Sequence, residues 1–262
     1  MPEEAVSARR ARRQTKKQRL DLALVARNLA ESRERAQALI IAGKVSVDGQ
    51  RADKPGRSIG LESRIEVEQP LKYVSRGGLK LEAALAHFKI SPAGKTCLDV
   101  GASTGGFTDC LLQHGAARVH AVDTGAGQID WKLRTDSRVV LHENVNARYL
   151  TFGEIGEAAD LIACDVSFIS VTLLLPALQQ FLKPGGDWII LIKPQVEAGR
   201  EHVGSGGIVR DPAAHRLARE KVESAVRKYG YMTETIESPL LGAEGNREFL
   251  LHAAARLEAI VQ

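Results

Sequence analysis

The chain has 262 residues, 44% hydrophobic and 26% charged, the proportions of an ordinary globular protein with room for about two domains. Its net charge of +4 conceals an asymmetry: residues 1–80 hold 18 Lys/Arg against 10 Asp/Glu, and the remainder 18 against 22, so the first end is expected to meet a polyanion, the plainer alternative being a solvated basic tail. No apolar run is long enough to span a bilayer and the charged start is unlike an export signal, while Cys97, Cys110 and Cys164 are too scattered for a disulfide framework or a metal site.

Residues 1–18 carry six Arg and Lys between Arg9 and Lys17 and almost no bulky apolar side chain, so they are expected to be a disordered tail. Over Arg19–Ala30, Leu22, Val25, Ala26 and Leu29 recur at helical spacing. A second helix is expected after an N-capping Ser32, with Ala36, Leu39 and Ile40 inward and a stop at Gly43. Alternation over residues 44–47, a turn at Asp48-Gly49 and a second alternating run at 64–68 add short strands, giving a small α+β unit over residues 19–69.

The run from Arg19 to Gln50 resembles the S4-like RNA-binding domain. By that resemblance Arg33, Arg35, Lys44 and Arg51 are expected to approach RNA phosphates, contacts that supply affinity rather than sequence choice. Any one of them alone reads as a solvated cation, so the expectation attaches to the patch.

Residues 70–78 read as a linker, and Leu79–Phe88 as a helix with Leu81, Ala84, Leu85 and Phe88 on one face. From there strand and helix signals alternate. Thr96–Val100, Val119–Asp123, Val139–His142, Leu161–Asp165 and Trp188–Ile192 are apolar runs ending in polar residues; Phe107–His114, Val171–Phe181 and Ala213–Tyr229 are helical. This rhythm is that of a doubly wound, Rossmann-like α/β sheet over residues 79–262. Thr233–Glu237 and Phe249–Ala254 supply late strands, one of them antiparallel.

The first of these strands runs into Asp99-Val100-Gly101-Ala102-Ser103-Thr104-Gly105-Gly106-Phe107. Glycines here let the backbone approach a ligand lying over the carboxyl edge of the sheet, yet the spacing is neither the dinucleotide fingerprint nor a P-loop, which disfavours a nicotinamide enzyme. Asp123, closing the second strand, is placed to accept both hydroxyls of a ribose. Asp165 and Lys193 each follow an apolar run directly and should emerge at that same edge, where open parallel sheets bind ligands. An isolated Asp/Lys pair reads as a structural salt bridge; two ionisable residues at separate strand ends beside a glycine loop favour a catalytic reading.

The segment from Asp99 to Arg134 closely resembles the TlyA family, whose catalytic domain belongs with the FtsJ-like 2′-O-ribose methyltransferases, and the likeness runs from about Arg19 to the end of the chain. The resemblance implies S-adenosylmethionine held by Asp99, Gly101, Ser103, Gly105, Gly106, Phe107 and Asp123, with Asn146 near the adenine. It also implies a catalytic Lys-Asp-Lys-Glu tetrad of Lys80, Asp165, Lys193 and Glu248. In it Lys193 would orient a 2′-hydroxyl and assist its deprotonation, Asp165 would position Lys193, and Lys80 and Glu248 would hold the ribose and its phosphate. No metal is implied, because the leaving group departs as a neutral thioether.

The expected substrate is cytidine in ribosomal RNA within ribosomal subunits, and the expected location cytoplasmic. Family members differ in whether 16S RNA is modified besides 23S. The basic extension favours both, while Tyr73-Val74 lacks the tryptophan of the dual-specificity branch. The family also carries the label haemolysin, disfavoured here by the lack of a membrane-inserting segment, and a non-catalytic RNA-binding protein is disfavoured by the intact tetrad. The glycine-rich stretch 199–211 reads as a loop near the site that orders on RNA, with a plain surface loop as the alternative.

Overall fold

The computed structural model describes residues 17–68 and 71–255. They form two units that divide between Pro70 and Leu71.

The first unit contains β1 (Lys17–Arg19), α1 (Leu20–Ala26), α2 (Arg33–Ile41), β2 (Val45–Val47), β3 (Gln50–Ala52), β4 (Ser58–Gly60) and β5 (Ile65–Val67). β2 pairs antiparallel with both β3 and β5, and the helices bury Leu20, Leu24, Ala36 and Ile40 against Val45, Val47 and Ile59. Ser32 caps α2, accepting from the Arg35 N–H at 3.1 Å. Asp48 and Gly49 both have positive φ (53° and 78°), the turn whose twist suits a two-residue hairpin.

Two expectations need correction in this unit. Residues 1–16 of the expected tail lie outside the described residues, but its last two do not: Lys17 and Gln18 belong to β1, paired antiparallel with β4 in the register Arg19↔Ser58. A partner some forty residues away leaves no local trace. The first helix stops at Ala26 rather than Ala30, because Asn28 adopts a left-handed conformation (φ 56°) and the Leu29 N–H turns back to the Leu24 carbonyl at 2.8 Å. Asp21, which the sequence reading passed over inside the helix, is fully buried. It accepts from Arg19 Nη2 at 2.8 Å, Arg33 Nε at 3.1 Å and Gln37 Nε2 at 3.1 Å. The bonds from Arg19, with those from Gln37 and Arg33, hold its carboxyl well below the usual carboxylate range.

The second unit is a seven-stranded sheet built from β6 (Thr96–Val100), β7 (Arg118–Val122), β8 (Val139–His142), β9 (Ala159–Cys164), β10 (Leu182–Ile192), β11 (Tyr231–Glu237) and β12 (Phe249–Ala255). The order across it is β11-β12-β10-β9-β6-β7-β8, and every neighbouring pair is parallel except those that β12 makes. Alternate strand residues feed opposite cores. Cys97, Val119, Leu161 and Ile189 pack with Leu81 and Leu85 of α3 (Gly77–Phe88) and Leu111 of α4 (Gly106–Gln113). On the other side Leu98, Val122, Ile162 and Ile190 belong with two helices downstream. Between α4 and these lie the short α5 (Trp131–Arg134) and α6 (Phe152–Ile155); then come α7 (Leu175–Leu178), α8 (Pro194–Glu197) and α9 (Pro212–Arg227). Leu178 of α7 and Val222 of α9 complete the second core. Burial on both faces is why the central strands read as continuous apolar runs.

The helix expected over Val171–Phe181 is broken into a 3₁₀ turn, α7 and a second 3₁₀ turn. Pro176 lies in the first turn of α7, where its missing N–H costs no hydrogen bond, so it restarts the helix rather than continuing one. The expected linker is also shorter. α3 begins at Gly77, and residues 72–74 are fastened to α4: Asp109 accepts from the Val74 N–H at 2.8 Å, and Gln113 donates to the Lys72 carbonyl at 3.0 Å.

Candidate active site

β6 is the strand from which the chain turns first one way, to β7 and β8, and then the other, to β9 and β10. A crevice opens at such a switch point beyond the carboxyl ends of the strands. Its floor is the seam between β6 and β9, where the Asp165 N–H donates to the Val100 carbonyl at 2.9 Å. Gly101 is confined there twice over: its φ is 86°, and a side chain would run into the Asp165 carbonyl. At Gly106 a side chain would meet Ser75 Oγ and the Gly78 N–H, so this glycine lets the segment before α3 sit on the start of α4.

Two hollows meet over this loop. The first, about 280 Å³, is lined by Gly101, Ser103, Asp123, Asn146, Asp165 and Ser167 among others. The second, about 350 Å³, shares Gly101, Ser103, Asp165 and Ser167 and adds Gly106, Phe107, Arg76, Lys80 and Lys193. Gly105 and Asp99 line neither hollow. Gly105 is the N-cap of α4, with φ 95°. Asp99 is fully buried beneath the loop and accepts from the Thr108 hydroxyl at 2.6 Å, so it steadies α4 instead of facing a ligand. Burial pushes its carboxyl up to about 7.

Asp123 is held by the Ser103 N–H (2.8 Å) and the Gly125 N–H (2.7 Å), one on each oxygen. A carboxylate has about four lone-pair positions, so each oxygen can still accept a further hydroxyl. Asn146 does cap a turn, its Oδ1 accepting from the Arg148 N–H at 3.0 Å, and this leaves the amide Nδ2 for the hollow. A diol acceptor, an amide donor and, at the junction of the hollows, the carboxylate of Asp165 fit a ribonucleoside bearing a positively charged centre.

The four tetrad positions fall into two pairs. Lys193 Nζ lies 2.6 Å from Asp165 Oδ1 and donates to Ser167 Oγ at 2.8 Å. Lys80 pairs with Glu248. Lys80, Asp165 and Lys193 share the second hollow, whereas Glu248, 2% exposed, lies outside its lining and reaches it only by its pairing with Lys80. Because β12 is antiparallel, its first residues reach the edge where β9 and β10 end. Ile192 pairs with Phe249, so Lys193 and Glu248 leave the sheet side by side.

Phe168 was not singled out from the sequence. It is fully exposed, has φ 68°, and lines both the first hollow and a third of about 500 Å³ that includes Ser167, Lys193, Gly199, Arg200 and Gly207. A bulky side chain is thus held exposed, on a backbone in the left-handed region, beside the Lys193–Asp165 pair. Its position directly after Asp165-Val166-Ser167 was the available signal. The stretch 199–211 borders this third hollow. Asn246 pins it, accepting from the Val209 N–H at 3.0 Å and donating to the Gly207 carbonyl at 2.9 Å.

In the first unit the four expected RNA contacts differ. Arg33 turns its Nε to Asp21, Lys44 pairs with Glu68 at 2.8 Å, and Arg51 folds over Gly43 towards the Ala42 carbonyl at 3.4 Å. The guanidinium of Arg35 is exposed and unpaired among the described residues.

Residues 73–255 match the model of the FtsJ-like methyltransferase family, and residues 18–65 that of the S4 domain. The chain is 45% identical to a Mycobacterium tuberculosis protein named 16S/23S rRNA (cytidine-2′-O)-methyltransferase TlyA, over 89% of this chain and 88% of that one. A Campylobacter jejuni relative named 23S rRNA (cytidine-2′-O)-methyltransferase TlyA is 39% identical over 69% of this chain and 70% of its own length. A solved Streptococcus thermophilus structure described as a hemolysin is 43% identical, with a TM-score of 0.71 over 93% of this chain and 90% of that one.

Proposed function

This chain belongs to the TlyA family of FtsJ-like methyltransferases, and on that premise we propose that it transfers a methyl group from S-adenosylmethionine to the 2′-hydroxyl of cytidine in ribosomal RNA. The observation that carries the reading is the meeting of Lys193 and Asp165 at 2.6 Å where the hollow lined by Asp123 and Asn146 meets a second one.

S-adenosylmethionine, when bound, supplies a methyl group already activated on a sulfonium. Asp123 would accept from its ribose hydroxyls and Asn146 would face its base, with the backbone of Gly101–Ser103 beneath and Asp165 countering the positive charge. What remains for the protein is the acceptor. A ribose hydroxyl is a poor nucleophile, so it must be held in line and relieved of its proton. Lys193 orients that hydroxyl and assists deprotonation, Asp165 holds Lys193, and Lys80, backed by Glu248, faces the acceptor ribose and phosphate. Phe168 offers its exposed ring to an unstacked base. The S4 unit, through a patch that includes Arg35, contributes phosphate contacts.

Ribosomal subunits are the partners in this reading and the cytoplasm is the location. The haemolysin label finds no support in the helices: none among the described residues is long and apolar enough to cross a membrane.

The test is transfer of labelled methyl from S-adenosylmethionine to separated 30S and 50S subunits lacking these modifications, with Lys193→Ala alongside. Label on ribose is expected, falling at least about 10²-fold in the variant, with cofactor affinity little changed. Absence of label on both subunits despite cofactor binding, or a fully active Lys193→Ala protein, would overturn the reading.

A further inference from the structure

Lys193 Nζ meets two groups, and the contacts differ in kind. Asp165 Oδ1 is close, at 2.6 Å, but off the hydrogen-bonding direction; the atom is buried without a hydrogen-bond partner, so this contact is Coulombic. Ser167 Oγ, at 2.8 Å, receives an aligned N–H. Ser167 is also common to all three hollows around the site, those holding Asp123, Lys80 and Phe168.

Its place is built rather than incidental. The segment that carries it ends in Ser170 and Val171, whose hydroxyl and N–H donate to the buried carboxylate of Glu197 at 2.5 and 2.8 Å. Glu197 is the last residue of α8, the short helix that Lys193 caps, and it is itself held by Lys221 at 3.1 Å. The segments bearing Ser167 and Lys193 are therefore tied together through Glu197.

An amino group turns freely about its Cε–Nζ bond unless a partner fixes it. We propose that Ser167 is a positioning residue for methyl transfer: its hydroxyl oxygen seats one N–H of Lys193, so that what remains on Nζ is aimed at the acceptor hydroxyl. The inference rests on Lys193 acting in the transfer. The hydroxyl proton of Ser167 stays available to donate into the hollows.

The test compares full-length Ser167→Ala and Ser167→Thr with the unsubstituted protein, by steady-state transfer to unmodified subunits and by the ¹H–¹⁵N spectrum of the lysine side-chain amino groups. Ser167→Ala is expected to lower kcat by about 10-fold or more, since small misplacements of catalytic groups carry such penalties, while the KM for S-adenosylmethionine stays within about twofold; Ser167→Thr restores kcat. The Lys193 resonance should keep the same position in the unsubstituted and Thr proteins and be displaced or broadened in the Ala protein, where the bond is missing. Unaltered kcat, an unaltered Lys193 resonance in Ser167→Ala, or a folded Ser167→Thr that fails to recover would each overturn the proposal. Should the unsubstituted protein transfer no methyl group, the methyltransferase reading falls, and the resonance still decides whether Ser167 orders Lys193.

Discussion

Lys80 and Glu248, 168 residues apart in the chain, meet in a buried ion pair whose side chains are 10% and 2% exposed. One comes from the first turn of α3 and the other from the residue before β12, so the pair ties the helix that follows the linker to the antiparallel strand of the sheet. Gly242 makes room for it, since a side chain there would occupy the place of the Glu248 carboxylate.

Removing one partner of such a pair strands a charge out of water. Glu248→Ala should therefore destabilise the protein by about 3–5 kcal/mol and remove methyl transfer. Denaturant unfolding followed by tryptophan fluorescence measures the first, and the subunit assay the second. A Glu248→Ala protein as stable and as active as the original would show that Lys80 needs no buried counter-charge.

Asp99 makes stability depend on pH in an unusual direction. Its carboxyl is raised from the ordinary value of 3.8 to about 7, so between these limits the folded chain holds a proton that the unfolded chain has released. Stability from this group is full below about pH 4, falls as pH rises towards 7, and is flat above. The stability of the protein relative to Asp99→Asn, measured by urea unfolding from pH 4 to 8, should decline over that window. A pH-independent difference would mean that the carboxyl is already ionised throughout.

Arg33 and Arg35 stand two residues apart on α2 yet should behave differently. Arg35→Ala removes an unpaired cation; binding to ribosomal RNA should weaken and the slope of log affinity against log salt should fall by about 1, with folding untouched. Arg33→Ala loosens the clamp on Asp21, so it should lower the melting temperature as well. Equal salt slopes for Arg35→Ala and the unsubstituted protein would remove this residue from the RNA-facing patch.

Much of the catalytic unit was legible in the chain because buried parallel strands announce themselves. Thr96–Val100 and Val139–His142 stand where the apolar runs put them, β7 and β9 differ from their runs only at the ends, and β10 starts at Leu182, well before the expected Trp188. Asp165 and Lys193 were legible for the same reason, each being the polar residue that ends such a run. Glycine spacing located the loop over the sheet, but not which of its residues face the hollows. Gly105 and Asp99 belong to the same motif as Gly101 and Ser103, and only the turn of the backbone separates linings from supports.

By itself the sequence determined the alternation of strands and helices, the two-unit organisation, and the residue types at the carboxyl edge of the sheet, because periodicity, capping and turn preferences act over a few neighbouring residues. The tertiary structure alone decided the pairing of β1 with β4, the burial of Asp21 under Arg33 and Gln37, the junction of Lys80 with Glu248, and the seating of Lys193 on Ser167. Each joins residues from separate segments, and its free energy is the attraction between the partners set against the cost of taking them out of water, which no local stretch of chain encodes.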